Sequence, residues 1–426
     1  MRQTWWGRWS RRAIGVGALA ACACGGDPEQ APASAGPAAA SSAPLAPCLL
    51  EQSPLLAADG TELYIEPQNL FALGDAWVVA GAPSYRWGVA PGRDAVRLQT
   101  DAHVAAVVAR PAVPIARPRA ARTGSVIATP LGDGRWAAIF DEIHPDSIPG
   151  VFSPLSWWYG EHDGTRWTLV EPLPVPPASR LLLRQSSNLV RAGDRLVWIG
   201  YDDAERASPA HMYRYERGDG TWRYERMPDE FVEVAVLEYD DGAGLWMLLV
   251  GLDEELPGFQ KSIRLYREGR TRELVARVTA EPGADRMISW PSMQIQDGAV
   301  HVSWVVSARE GSRAFVRSGI RSGVDPGPIV ELDDNAPHLR TLTMPDGSPA
   351  WIAEHLDPVT QQKELRVLRL DGTRILRAAA VPSPFTGFFS ARARDANDIV
   401  LVGPQMGRVS PETPVRSLVL RLSTSC

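Results

Sequence analysis

Apolar residues along this chain come in short bursts separated by turn residues. One burst recurs: a Gly, Asp or Asn turn, then a short apolar run usually centred on Trp. The copies are GDAWVVAG at Gly74, GDGRWAAIF at Gly132, GDRLVWIGY at Gly193, GAGLWMLLV at Gly242, DGAVHVSWV at Asp297, DGSPAWIAE at Asp346 and ANDIVLVG at Ala396. Their central residues are Trp77, Trp136, Trp198, Trp246, Trp304, Trp351 and Val400, spaced by 59, 62, 48, 58, 47 and 49 residues. A second pattern follows each copy of the first, as in LSWWYGEHDGTRWTLVEP and KELRVLRLDGTRILRAAAV. Aromatic and β-branched residues alternate there at period two around Asp-Gly, which is hairpin chemistry. Another short strand, such as Asn188–Ala192 or Ser292–Gln296, precedes the first pattern.

Each unit therefore predicts four antiparallel strands, A to D, with Trp on strand B. Such units cannot bury both faces alone and must stack on their neighbours. The expected fold class is all-β: a seven-bladed β-propeller of four-stranded antiparallel blades. The final run, Arg416–Leu422, reads as a strand C with no D after it, and Asp59–Pro67 as a D with no C before it. The last blade is thus expected to be closed by the N-terminal strand, leaving no exposed edge. No amphipathic helix is expected after the leader. The copies resemble, in degenerate form, the kelch-like and Asp-box-like propellers of exported bacterial proteins, over residues 60–426.

The N-terminus breaks the pattern. Arg2, Arg8, Arg11 and Arg12 precede the apolar run Ala13–Ala21, which is too short to span a bilayer. It ends in Leu19-Ala20-Ala21-Cys22. This resembles the lipobox of bacterial lipoproteins, which implies lipidation of Cys22 as the first mature residue. Arg11-Arg12 also resembles a twin-Arg export signal, leaving Sec and Tat routes open. Ala23 in place of Asp follows the outer-membrane sorting pattern of that family. Residues 25–46 are almost entirely Ala, Pro, Ser and Gly, too poor in apolar bulk to offset ordering entropy. The expected organisation is a signal peptide over 1–21, a disordered tether over 22–46 and a single propeller over 47–426.

Composition and charge narrow the partners. The chain has 426 residues, 45% hydrophobic and 22% charged, enough for a packed core. Net charge is −6, and −10 once residues 1–21 are removed. An acidic exported chain repels a phosphate backbone, so no nucleic-acid partner is expected. The expected partners are the membrane, through the lipid anchor, and a protein or glycan ligand at the propeller rim, with the chain a monomer. All basic residues but Lys261 and Lys363 are Arg. Cys48 and Cys426 bracket the folded region, and an exported compartment permits a disulfide between them.

Candidate chemistry falls on the B–C loops, which share a rim with the D–A loops. These carry Asp141, Glu142, His144 and Asp146; Asp202 and Asp203; Asp253, Glu254 and Glu255; and Glu354, His355 and Asp357. Oxygen ligands from several loops could hold Ca²⁺ or steer a cationic partner, although a solvated loop set fits the same pattern. No zinc spacing, Gly-x-Ser-x-Gly elbow or P-loop is present. Catalytic residues are therefore not assigned. The expected function is that of an exported, lipid-anchored binding or scaffold surface. The alternative is a carbohydrate-active hydrolase or lyase, sialidase-like, on the same fold.

Overall fold

The computed structural model divides into two units, residues 1–43 and Pro44–Cys426. It describes residues 48–55, the four strands within 66–108, and most of 122–424. Within 122–424 it omits 144–153, 165, 175–180, 183–187, 203–210, 228–231, 253–260, 269–272, 278–286, 309–310, 325, 386–388 and 406–415. The leader, Cys22, the tether and Cys426 lie outside the described residues.

The described strands form seven antiparallel sheets, so the chain is an all-β propeller. The first sheet holds β2 (Glu66–Leu73), β3 (Ala76–Ala82), β4 (Ala95–Gln99) and β5 (Ala105–Val108). The second holds β6 (Arg122–Gly132), β7 (Arg135–Ile143), β8 (Pro154–His162) and β9 (Trp167–Pro172). In the third, the innermost strand is split into β10 (Leu181–Leu182) and β11 (Val190–Ala192), beside β12 (Arg195–Asp202), β13 (His211–Gly218) and β14 (Thr221–Arg226). The fourth runs β15 (Val232–Asp240), β16 (Gly244–Leu252), β17 (Lys261–Arg267) and β18 (Glu273–Arg277). The fifth runs β19 (Met287–Gln296), β20 (Ala299–Ala308), β21 (Gly311–Ile320) and β22 (Ile329–Asp333). The sixth runs β23 (His338–Thr343), β24 (Pro349–Leu356), β25 (Lys363–Asp371) and β26 (Arg374–Pro382). The seventh joins β27 (Ser390–Ala393), β28 (Asp398–Gln405) and β29 (Arg416–Ser423) to β1 (Cys48–Pro54).

The innermost strands touch in sequence: β2 on β6, β6 on β11, β11 on β15, β15 on β19, β19 on β23, β23 on β27, and β27 back on β2. A separate apolar core fills each of these contacts, including one that joins the seventh sheet to the first through Leu55, Val400, Val402, Leu70 and Trp77. Stacking therefore buries both faces of each sheet. All six marker Trp residues and Val400 are buried in these cores.

The Trp157-Trp158-Tyr159 run shows the consequence. In a strand, neighbours point to opposite faces. Trp157 and Tyr159 enter the core shared with the third sheet, while Trp158 enters the core shared with the first. All three are buried. Gly160 follows because the Trp167 ring of the next strand lies across it: a Cβ there would sit 2.6 Å from that ring.

One sequence expectation is corrected. The strand that closes the seventh sheet is Cys48–Pro54, not Asp59–Pro67. It pairs antiparallel with β29, Cys48 opposite Ser423 and Pro54 opposite Leu418. Glu66 and Pro67 instead begin β2, the inner strand of the first sheet. The Asp-Gly-Thr match to Asp163–Pro172 misled because turn chemistry repeats locally while ladder register is set by the partner strand. The first sheet has its strands C and D, β4 and β5, as the four-strand unit predicts.

Candidate functional site

Each innermost strand has one unpaired edge, which faces the centre of the ring. Backbone groups there need partners other than a further strand. Side chains of the neighbouring sheet supply several. Asn69 Oδ1 accepts from Ala128 N at 2.9 Å. Asn188 spans to Leu237, accepting from its N at 2.9 Å and donating to its carbonyl. Arg340 Nε donates to the Phe389 carbonyl at 2.8 Å. Ser292, Ser303 and Thr341 join hydroxyls between the fifth and sixth sheets.

These linkers surround a cavity of about 470 Å³ lined from six of the seven sheets. That volume is in the range of small-molecule sites. Its charged lining consists of Glu238 on β15, Arg191 on β11, Arg340 on β23 and Arg392 on β27. Tyr239, Thr129, Thr341 and Ser390 add neutral polar groups. Among the described residues, none of the three Arg side chains makes a salt bridge. Arg191 bonds the carbonyls of Gly193 and Leu131. The Arg340 guanidinium lies 4.9 Å over the Trp290 ring. Its enclosure without a carboxylate pushes it down to about 10.

Glu238 is half-buried, but protein surrounds it. Desolvation pushes its carboxyl up from 4.5 to about 7, against the pull of Arg392 and with the help of Asp240. The folded chain therefore holds this proton more tightly than the unfolded one. The stability that Glu238 contributes is full below about pH 4.5 and lost as pH rises through 7. Glu238→Gln removes the charge, so we expect it to be about 1–2 kcal/mol more stable than wild type at pH 8, after allowance for solvent screening, and level with it at pH 4. Denaturant titration at the two pH values checks this.

A second polar cluster sits where the sixth sheet meets the D–A and B–C rim. Glu354 is fully buried; its Oε2 takes Lys363 Nζ at 3.1 Å and its Oε1 takes Ser383 Oγ at 2.7 Å. His338 Nε2 lies 3.7 Å from the same carboxylate. Burial, then Lys363 and Arg340, push His338 down to about 4, so it is neutral at physiological pH. Its ring meets Trp290 edge-on at 5.1 Å. Trp290 sits in the bulge of β19 with φ of +53°, a left-handed conformation uncommon for an aromatic residue. His355 Nδ1 lies 2.7 Å from Asp333 Oδ1, and Arg366 Nη1 is 2.9 Å from Asp333 Oδ2.

The rim acids predicted as metal or partner ligands fare unevenly. Glu354 is neutralised by Lys363. Asp357 accepts from Val359 N and Thr360 N, both at 2.8 Å, and so shapes its own turn. His355, Asp333 and Asp334 come close enough to hold an ion among them. However, the Arg366 guanidinium already balances Asp333, and a divalent cation would sit beside that positive charge. Asp141 and Glu142 end β7 and Asp202 ends β12, as strand residues rather than loop residues. His144, Asp146, Asp203, Asp253, Glu254 and Glu255 lie outside the described residues.

The channel residues lie on the innermost strands, away from the loops where the sequence places candidate chemistry. A signal existed. The linking pairs Asn69–Ala128, Asn188–Leu237, Ser292–Thr341 and Arg340–Phe389 are 59, 49, 49 and 49 residues apart. That is close to the spacing of the marker residues.

No protein-family model and no curated protein sequence matches the chain. Solved structures do. An oligogalacturonate lyase in complex with manganese aligns at TM-score 0.51 and 13% identity, covering 88% of this chain and 97% of its own. An oligogalacturonate lyase from Vibrio parahaemolyticus aligns at 0.51 and 10%, covering 88% and 97%. A protein of unknown function from Dyadobacter fermentans aligns at 0.50 and 14%, covering 72% and 96%. The likeness is one of fold. At these identities it carries no residue roles across, because function lives in the site grafted on a fold.

Proposed function

We propose that this chain is an exported, lipid-anchored, seven-bladed β-propeller that binds a glycan or protein ligand of the bacterial envelope at its channel and rim. The observation that carries the reading is the channel itself: a cavity of small-molecule size into which six sheets direct polar side chains. The leader motif supports lipidation at Cys22, outer-membrane placement follows from Ala23, and the acidic mature chain argues against nucleic acid. Cys48, three residues in register from the C-terminus, supports the disulfide with Cys426.

A carbohydrate-active enzyme is the second reading. One observation favours it: Glu238 has the raised proton affinity of a general acid. Glycoside hydrolysis, however, usually needs a second carboxyl within about 5–9.5 Å, and no other carboxylate lines this cavity among the described residues. The binding reading is therefore preferred.

The test is a thermal-shift panel of neutral and acidic oligosaccharides on the mature chain, with product analysis of each mixture. We expect a shift without turnover. Turnover that disappears in Glu238→Gln would replace the binding reading by the enzymatic one. For the anchor, Cys22→Ser is expected to move the protein from the membrane to the soluble fraction. Unchanged fractionation, with no acyl group on the wild-type chain, would remove that part.

A further inference from the structure

We propose that the channel is a carboxylate-binding site, taking a small organic acid or an acidic sugar with its carboxylate toward Arg340 and Arg392. The inference rests on the reading of the channel as the ligand site and names the chemistry of what enters it.

Charge is the first argument. The cavity presents three guanidinium groups and one carboxyl group, inside a chain whose net charge is −6. The positive interior thus runs against the body of the protein. Arg-rich composition alone does not explain it, because several other described Arg side chains in the middle strands sit against carboxylates. Arg195 and Arg214 share Glu216 and Glu268, Arg366 has Asp333, and Arg421 has Asp398. Arg340 and Arg392 make no salt bridge among the described residues, although Arg392 pulls on Glu238.

Arg340 is the second argument. A guanidinium carries five donors in a planar fork. Its Nε is spent on the Phe389 carbonyl and one face rests on Trp290. That fixes the plane and leaves the terminal nitrogens for a ligand. Taking a charge out of water without a counter-charge is unfavourable, and a bound anion relieves it. The fork matches a carboxylate in a bidentate pair. Arg392, exposed within the lining, approaches from the neighbouring seventh sheet.

Glu238 selects among anions. It faces the same cavity, with Arg392 three places round the ring, Arg191 and Arg340 in the lining, and Asp240 and Tyr239 on its own strand. In its protonated form it donates a hydrogen bond to a ligand oxygen. In its ionised form it repels a dianion such as sulfate more than a monocarboxylate. Thr129, Thr341 and Ser390 offer hydroxyls to the rest of a ligand.

The experiment is calorimetry on the mature chain at pH 6 and pH 8 with glucuronate, succinate, glucose and sulfate. Glucuronate is expected to bind, more tightly at pH 6. Arg392→Gln should weaken it at least tenfold while melting at pH 6, where Glu238 is mostly protonated, stays within a degree of wild type, since that side chain makes no salt bridge among the described residues. Arg340→Gln should weaken it similarly. Glu238→Gln should keep the pH 6 affinity and abolish its fall at pH 8. Binding of succinate as well assigns a simple carboxylate; binding of glucuronate alone assigns an acidic sugar. Glucose binding as tightly as glucuronate overturns the carboxylate inference and leaves the channel reading intact. Sulfate binding tighter than either acid, unaltered affinity in Arg392→Gln, or no carboxylate binding at millimolar concentration also overturns it. If glucose, too, fails to bind, and no oligosaccharide of the thermal-shift panel protects the channel strands from hydrogen exchange, the channel reading falls with it.

Discussion

Trp351→Ala is expected to destabilise the propeller by about 3–5 kcal/mol. Trp351 is 0% exposed. It fills the core between the fifth and sixth sheets with Val305, Ala314, Leu339 and Leu368. Truncation removes a large apolar area and leaves a cavity that strand-bound neighbours cannot collapse into. The indole nitrogen has no hydrogen-bond partner, so the ring contributes by packing alone. Trp351→Phe should therefore cost well under half as much, because it keeps an aromatic ring and removes a buried unpaired donor. Val359, 88% exposed, is the control, and Val359→Ala should be neutral. Equilibrium denaturation of the four proteins checks the order. Equal losses for Trp351→Phe and Trp351→Ala would show that the nitrogen, not the ring, matters.

Removing the closing strand should have the larger effect. Deletion of Cys48–Leu55 takes away the whole β1 ladder on β29 and the fully buried Leu55. It opens the core between the seventh and first sheets and exposes the edge of β29, a template for association. Loss of the monomer on size-exclusion chromatography, with aggregation, is the expected result. A lesser version is chemical. The proposed Cys48–Cys426 disulfide closes nearly the whole chain, worth on the order of 5 kcal/mol in the chain-entropy model. Reductant should lower the melting temperature of wild type but not of Cys48→Ser. Equal sensitivity of the two proteins would remove the disulfide.

The repeat was legible because a propeller writes its interfaces into a strand period. The Trp of strand B recurs wherever a blade must fill the gap to its neighbour, and six buried Trp residues and Val400 follow that rule. Hairpins announced by Asp-Gly, such as β8–β9 and β25–β26, were read with nearly the right ends. The closing strand was not, because Cys48–Pro54 carries no turn signal and its register depends on a strand more than 350 residues away. The site was least legible. Glu354 looks like a loop acid in sequence, yet Lys363 and Ser383 surround it. Glu238 looks like one polar residue in an apolar strand, and only ring closure shows that it faces a shared cavity with Arg392. Long-range placement, not residue type, makes those groups a site.

Hydrogen exchange of the mature chain, with and without the ligand that gives the largest thermal shift, tests the central claim most directly. Binding at the channel predicts protection in the innermost strands β2, β6, β11, β15, β23 and β27, with the outermost strands β5, β9, β14, β18, β22 and β26 unchanged. Protection confined to the outermost strands, or none at saturating ligand, would contradict it.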